Sequence, residues 1–181
     1  MSRMRTLSLA GLAVAALALA GCSSSSDSAT STTTTPSTVA SPTTTVAIVP
    51  VQDPSPAGTF GTKPTITVPT GSPPTQLEST DLITGTGPAA KAGDTVTVEY
   101  VLATYSSGKE IQSSWESQPF TFTLGEQQVI PGWDDGVVGM KVGGRRELVI
   151  PPSLGYGATS PGAGIAVNDS LVFIIDLQKI G

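Results

Sequence analysis

The chain has 181 residues, a formal net charge of −5, one Cys and no His. One Cys excludes an internal disulfide framework and any multi-Cys zinc or iron–sulfur site. The lack of His removes Ser-His and Cys-His dyads and most transition-metal sites, and the acidic balance argues against a nucleic-acid groove. What survives is binding, carboxylate chemistry, or catalysis that needs no titrating group.

The N-terminus reads as a leader. Arg3 and Arg5 precede Leu7–Ala20, an uncharged run of mostly Leu, Ala and Val. At helical rise this run reaches only about 21 Å, short of the roughly 30 Å hydrocarbon core. The layout is that of a secretory signal rather than a spanning helix. The run ends Leu19-Ala20-Gly21-Cys22, which resembles the bacterial lipobox. That resemblance implies cleavage before Cys22 and a diacylglyceryl thioether on its sulfur. The expectation is therefore an exported protein, lipid-anchored on the extracytoplasmic face of a membrane, with 1–21 as signal peptide.

A Ser/Thr/Pro-rich stretch follows, including Thr32–Thr35, Ser41–Thr45 and Pro54–Pro56. Such composition has too little apolar surface to offset the entropy of ordering. Residues 22–62 are expected to be a disordered tether behind the lipidated Cys. Thr65-Ile66-Thr67-Val68 alternates between Pro64 and Pro69 and suggests a short edge strand. The folded domain is accordingly placed at 63–181.

From there the signals are mostly β. Leu77–Ile83 is a strand closed by Gly85-Thr86-Gly87-Pro88, and Ala92-Gly93-Asp94 is a turn. Thr95–Thr104 alternates Val96, Val98, Tyr100 and Leu102 against Thr95, Thr97, Glu99 and Val101. A turn at Ser106-Ser107-Gly108 leads into Glu110–Ser113, and Phe120, Phe122 and Leu124 alternate with Thr121 and Thr123. Arg146–Ile150 ends at Pro151-Pro152, and Leu171–Ile180 is the last strand. One stretch differs. Pro131–Met140 places Trp133, Val137 and Met140 on one helical stripe. Pro131 suits a first turn, Asp134 and Asp135 read as solvated charges at the N-terminal end, and Gly143-Gly144 provides a stop. An antiparallel sheet with one short amphipathic helix is an α+β domain.

Gln128-Val129-Ile130-Pro131-Gly132-Trp133-Asp134-Asp135-Gly136-Val137, then Met140-Lys141-Val142-Gly143, Pro151-Pro152, Leu154-Gly155-Tyr156-Gly157-Ala158 and Leu171-Val172-Phe173 appear in order. This set resembles the FKBP-type peptidyl-prolyl isomerases over roughly Leu77–Gly181. The resemblance implies a five-stranded antiparallel sheet wrapped around one short α-helix, with an apolar pocket between them. It implies a rotamase acting on proline-containing polypeptides, with a macrolide as a further ligand, and no cofactor or metal. Trp133 matches the pocket floor, and Tyr100, Phe120 and Phe173 its aromatic walls. Val129 and Ile130 match the rim, with the Ile130 N–H as a ligand donor. Tyr156 matches a hydroxyl that meets a substrate carbonyl, and Ile165 an aliphatic before the last strand. Ile111 and Gln112 stand where many members carry Phe-Asp, and Gln112 is expected to weaken macrolide binding. The alternative is a catalytically weak proline-peptide-binding or holdase module. No phosphate-binding run G-x-x-x-x-G-K-[ST] occurs, and no repeat or heptad suggests an oligomer, so a monomer is expected.

The chemistry needs neither His nor Cys. Rotation about an X–Pro amide crosses a barrier of about 18–20 kcal/mol because it breaks resonance. A catalyst need only bind the twisted amide better than the planar one. The twisted carbonyl is less polar, so an apolar, water-poor pocket favours it.

Overall fold

The computed structural model describes residues 46–181. The leader, Cys22 and the tether up to residue 45 lie outside the described residues. The alternating runs form strands: β2 (Leu77–Ile83), β3 (Thr95–Thr104), β4 (Glu110–Ser113), β5 (Phe120–Thr123), β6 (Arg145–Ile150) and β7 (Leu171–Ile180). They follow a two-residue β1 (Ile48–Val49), and one helix, α1 (Pro131–Val137), lies between β5 and β6. A single 3₁₀ turn, Pro152–Leu154, comes after β6.

The sheet order is β1-β2-β6-β7-β3-β4, with β5 also pairing β3. All pairs are antiparallel except β1 with β2. The expectation of five antiparallel strands is therefore corrected to a mixed, seven-stranded sheet. Two causes are visible. The irregular stretch between Ser113 and Phe120 splits the edge beside β3 into two short strands. At the other edge, Ile48 and Val49 align in parallel with Leu77 and Glu78.

The front face carries the main core. Val96, Val98 and Leu102 of β3, Leu148 and Ile150 of β6, and Leu171, Phe173, Ile175 and Leu177 of β7 are buried together with Trp133, Val137 and Met140. The helix is shorter than its stripe suggests. Val138 leaves the helical region and Gly139 takes φ +83°, so Met140 reaches the core from a turn. Two glycines let α1 lie directly on β6. A Cβ on Gly132 would sit 2.5 Å from Ile150 Cγ2, and one on Gly136 would sit 2.6 Å from Leu148 Cδ1. Gly132→Ala is expected to cost about 1–3 kcal/mol by overpacking, read as a lower urea midpoint with an unchanged m-value.

The rear face is covered as well, which corrects the placing of the tether through residue 62. After edge strand β1, residues 51–69 run across this face as a strap. Val51 is buried against Val149 and Val172, with Ile66, Val68 and Tyr105 packed around them. The strap's main chain is tied down by side chains of the sheet. Val51 N donates to Thr80 Oγ1 at 2.9 Å, and Ser55 N to Glu147 Oε2 at 2.6 Å. Arg145 makes a two-pronged ion pair with Asp176, at 2.5 and 2.8 Å, and also donates to Ala57 O and Thr62 O. Gly61 N completes the Asp176 carboxylate at 3.1 Å. Arg145, Glu147 and Asp176 are buried. Glu147 Oε1 has no partner among the described residues, and burial pushes this carboxyl above its ordinary value.

Thr65–Val68 joins no ladder, contrary to expectation. The alternation is real, since Ile66 and Val68 face the rear core. Its backbone partner is instead a side chain: Thr67 N donates to Ser55 Oγ, which donates back to Thr67 O.

Candidate functional site

The sheet's front face and α1 leave a cavity of about 260 Å³ at the β3–β7 end of the core. β3 supplies Tyr100 and Leu102, β4 Gln112, β5 Phe120, and β7 Phe173. Gln128, Val129, Ile130 and Trp133 come from the entry to α1, and Tyr156 from the loop after the 3₁₀ turn.

Local chemistry explains each placement. Ile130 is extended, at φ −63° and ψ 149°, and Pro131 opens the helix where a missing N–H costs nothing. Trp133 N then donates to Ile130 O at 2.9 Å, which turns the indole inward. Asp134 is not the free surface charge expected of it. Its Oδ1 accepts Gly125 N at 2.9 Å and ties the β5–α1 connection to the first turn. Asp135 is half-buried, and burial followed by the neighbouring Asp134 charge raises its carboxyl above the ordinary value.

Trp133 is the hub of the aromatic cluster. Its ring meets Phe173 at 5.1 Å and 84°, and Tyr100 at 5.3 Å and 83°. Phe120 lies 6.1 Å away at 75°, and Phe122 supports the group from beneath at 5.5 Å. Edge-to-face pairs of this kind add about 0.5–1.5 kcal/mol each beyond their burial. Trp133 Nε1 is buried without a partner among the described residues. Tyr100 is held by its backbone: its N–H donates to Ser114 Oγ at 2.9 Å, and its carbonyl accepts Ser114 N at 3.0 Å. The Ser114 hydroxyl donates in turn to Glu99. Burial, then the nearby Tyr156, raises the Tyr100 phenol above its ordinary value, so it stays protonated.

Tyr156 stands at the mouth and is 38% exposed. Gly155 N and Gly157 N both donate to Pro152 O, so the loop is pinned on either side of the tyrosine. Ile165 and Ile111 are not among the lining residues. Ile165 is buried in the core cluster, and Ile111 packs against that cluster beside Gly164. The other residues expected at the pocket, Tyr100, Gln112, Phe120, Val129, Ile130, Trp133, Tyr156 and Phe173, are brought together. Leu102 and Gln128 join them unforeseen. Leu102 was readable, because it shares the face of Tyr100 two residues earlier. Gln128 opens the matching motif without being singled out as a site residue, and its side-chain Oε1 serves the local turn by accepting Thr123 N.

The lining offers phenols, amides and hydrocarbon. Among the described residues it contains no Ser, Cys, Lys or carboxylate, and so no nucleophile or general base within the cavity. Such a site binds an apolar ring and presents donors at its rim.

A family model for the FKBP-type peptidyl-prolyl cis-trans isomerases matches residues 87–178, a span that contains every lining residue. The chain belongs to that family. This isomerase is 50% identical over 120 residues to an FK506-binding protein of Streptomyces anulatus, covering 65% of this chain and 97% of the relative. It is 44% identical over 116 residues to a probable FK506-binding protein of Corynebacterium glutamicum, covering 64% of this chain and 96% of that one. Among solved structures it resembles FkpA from Escherichia coli, with 39% identity and a TM-score of 0.53 over 59% of this chain and 48% of that chain. The strap across the rear face precedes the family-matched residues of the isomerase.

Proposed function

We propose that the isomerase works on exported or envelope polypeptides and that the Trp133 cavity is where the X–Pro amide twists. The observation that carries this reading is the convergence of Trp133, Tyr100, Phe120 and Phe173 on one cavity without a nucleophile or base. The prolyl ring lies on the indole between the aromatic walls. Val129 and Ile130 form the rim, the Ile130 N–H and the Tyr156 hydroxyl meet carbonyls, and Ile111 and Ile165 back the wall. The low polarity of the lining favours the twisted amide over the planar one. A macrolide of the kind named for the FK506-binding relatives would compete for the same floor, with Gln112 at the mouth weakening its hold. Cys22 carries the lipid, and the chain acts as a monomer from the extracytoplasmic face.

The test titrates a proline peptide into ¹⁵N-labelled protein. Shifts at the Trp133 indole and at Tyr100, Phe173 and Tyr156, with faster cis–trans exchange of the peptide, are expected. Exchange catalysis with shifts confined to other surfaces would overturn the assignment of the pocket. For the anchor, Cys22→Ser is expected to move the protein from the membrane fraction to the soluble one. An unchanged partition would remove the lipid from the account.

A further inference from the structure

The helix that supplies the cavity floor is too short to hold itself. α1 has seven residues, and isolated helices below about 12–15 residues are marginal in water. Among the described residues no side chain caps its N-terminus, and its last turn holds no basic residue. Its final carbonyls therefore need donors from elsewhere. β6 provides them across the gap. Arg146 Nη1 donates to Gly136 O at 2.8 Å and to Val138 O at 3.2 Å. Its Nε donates to Asp81 Oδ1 at 2.6 Å, so β2 orients the guanidinium. A cation at this end also complements the helix dipole.

The next two front-face residues of β6 continue the contact. Leu148 abuts Gly136, and Ile150 abuts Gly132, one helical turn earlier. Arg146, Leu148 and Ile150 thus index α1 along its whole length. Trp133 sits between the indexed positions, with its ring fixed against Phe173 and Tyr100. Arg146 itself does not line the cavity.

We infer that Arg146, oriented by Asp81, is a positioning residue for isomerisation: it sets where Trp133 stands relative to the walls on β3 and β7. This rests on the reading that the amide twists in the Trp133 cavity. Lysine cannot replace it fully, because an ammonium cannot serve two carbonyls and a carboxylate from one planar fork.

The test compares kcat and KM for an Xaa-Pro peptide in the whole chain, at a temperature where each variant is folded. Arg146→Met is expected to lose about tenfold in kcat/KM, the scale that displacement of a positioned group commands, and Arg146→Lys less. The Trp133 indole resonance is expected to shift in both. Val172→Ala, which removes packing on the rear face, is expected to lower stability while leaving turnover and that resonance unchanged. Wild-type turnover in Arg146→Met, or an equal fall in Val172→Ala, would overturn the inference. If Arg146→Met does not fold, Arg146→Lys and Asp81→Asn carry the same comparison. Trp133→Leu separates the two readings. Undiminished turnover there would sink the cavity and Arg146's role with it. A loss there beside an unaffected Arg146→Met would sink only the role of Arg146.

Discussion

Replacing Arg145 by methionine is expected to cost the fold about 3–5 kcal/mol, the range for removing one partner of a buried ion pair. Asp176 is 1% exposed and would be left with only the Gly61 N–H as a partner. Ala57 O and Thr62 O would lose their donor in the same step. The cost depends on the strap that keeps water out. In a chain beginning at Lys63, Ala57, Gly61 and Thr62 are gone and solvent reaches the pair. The same substitution should then cost about 1 kcal/mol or less, as at a surface. Denaturation of all four proteins closes a double-mutant cycle, and a coupling above about 2 kcal/mol is expected. Equal costs with and without residues 46–62 would mean that the strap does not seal the pair, and that the tether reaches Lys63 after all.

The strap was the part of the fold least legible in the sequence. Ile48, Val49 and Val51 are apolar, but they stand among Ser, Thr and Pro, and a composition argument averages them away. Their partners lie far along the chain: Leu77 for Ile48, Thr80 for the Val51 N–H, Glu147 for the Ser55 N–H. The same blindness hid the rear face. Arg145 and Glu147 stand in a charged run with Arg146, Asp176 stands between Ile175 and Leu177 as a solvent-facing position does, and only the strap's main chain makes their burial possible. By contrast, β3 and β7 have the bounds their patterns predict. A period of two over ten residues, with turn residues at each end, leaves few alternatives.

The pocket was legible where the walls are aromatic. Tyr100, Phe120, Trp133 and Phe173 follow from the family resemblance, and the structure gathers them around one cavity. Aliphatic positions were harder. Ile111 and Ile165 are consistent in type with a pocket wall, yet they pack into the core behind it, and sequence spacing does not tell a lining residue from its support. The helix–β6 contact was also hidden. Gly132 and Gly136 are poor helix formers by intrinsic propensity, yet their missing side chains let α1 lie against Ile150 and Leu148.

Trp133→Leu is expected to lower kcat/KM by about 10- to 100-fold, equivalent to about 1.4–2.7 kcal/mol of lost transition-state stabilisation. The division between the two constants is the informative part. If the indole only held the prolyl ring, planar and twisted amides would lose equally, and KM would rise with kcat unchanged. The cavity argues for more. Trp133 is 4% exposed and meets Phe173, Tyr100 and Phe120 at near-perpendicular angles. Leucine would leave part of that volume empty or hydrated, and water at the amide favours the planar, more polar carbonyl. A fall in kcat is therefore expected beside the rise in KM. The variant will also be less stable, because a buried large-to-small change of this size costs a few kcal/mol, so the kinetics must be read below its unfolding transition. Unaltered kcat with a raised KM would reduce the indole to a binding surface and move the catalytic preference to the rim, at Tyr156 and the Ile130 N–H.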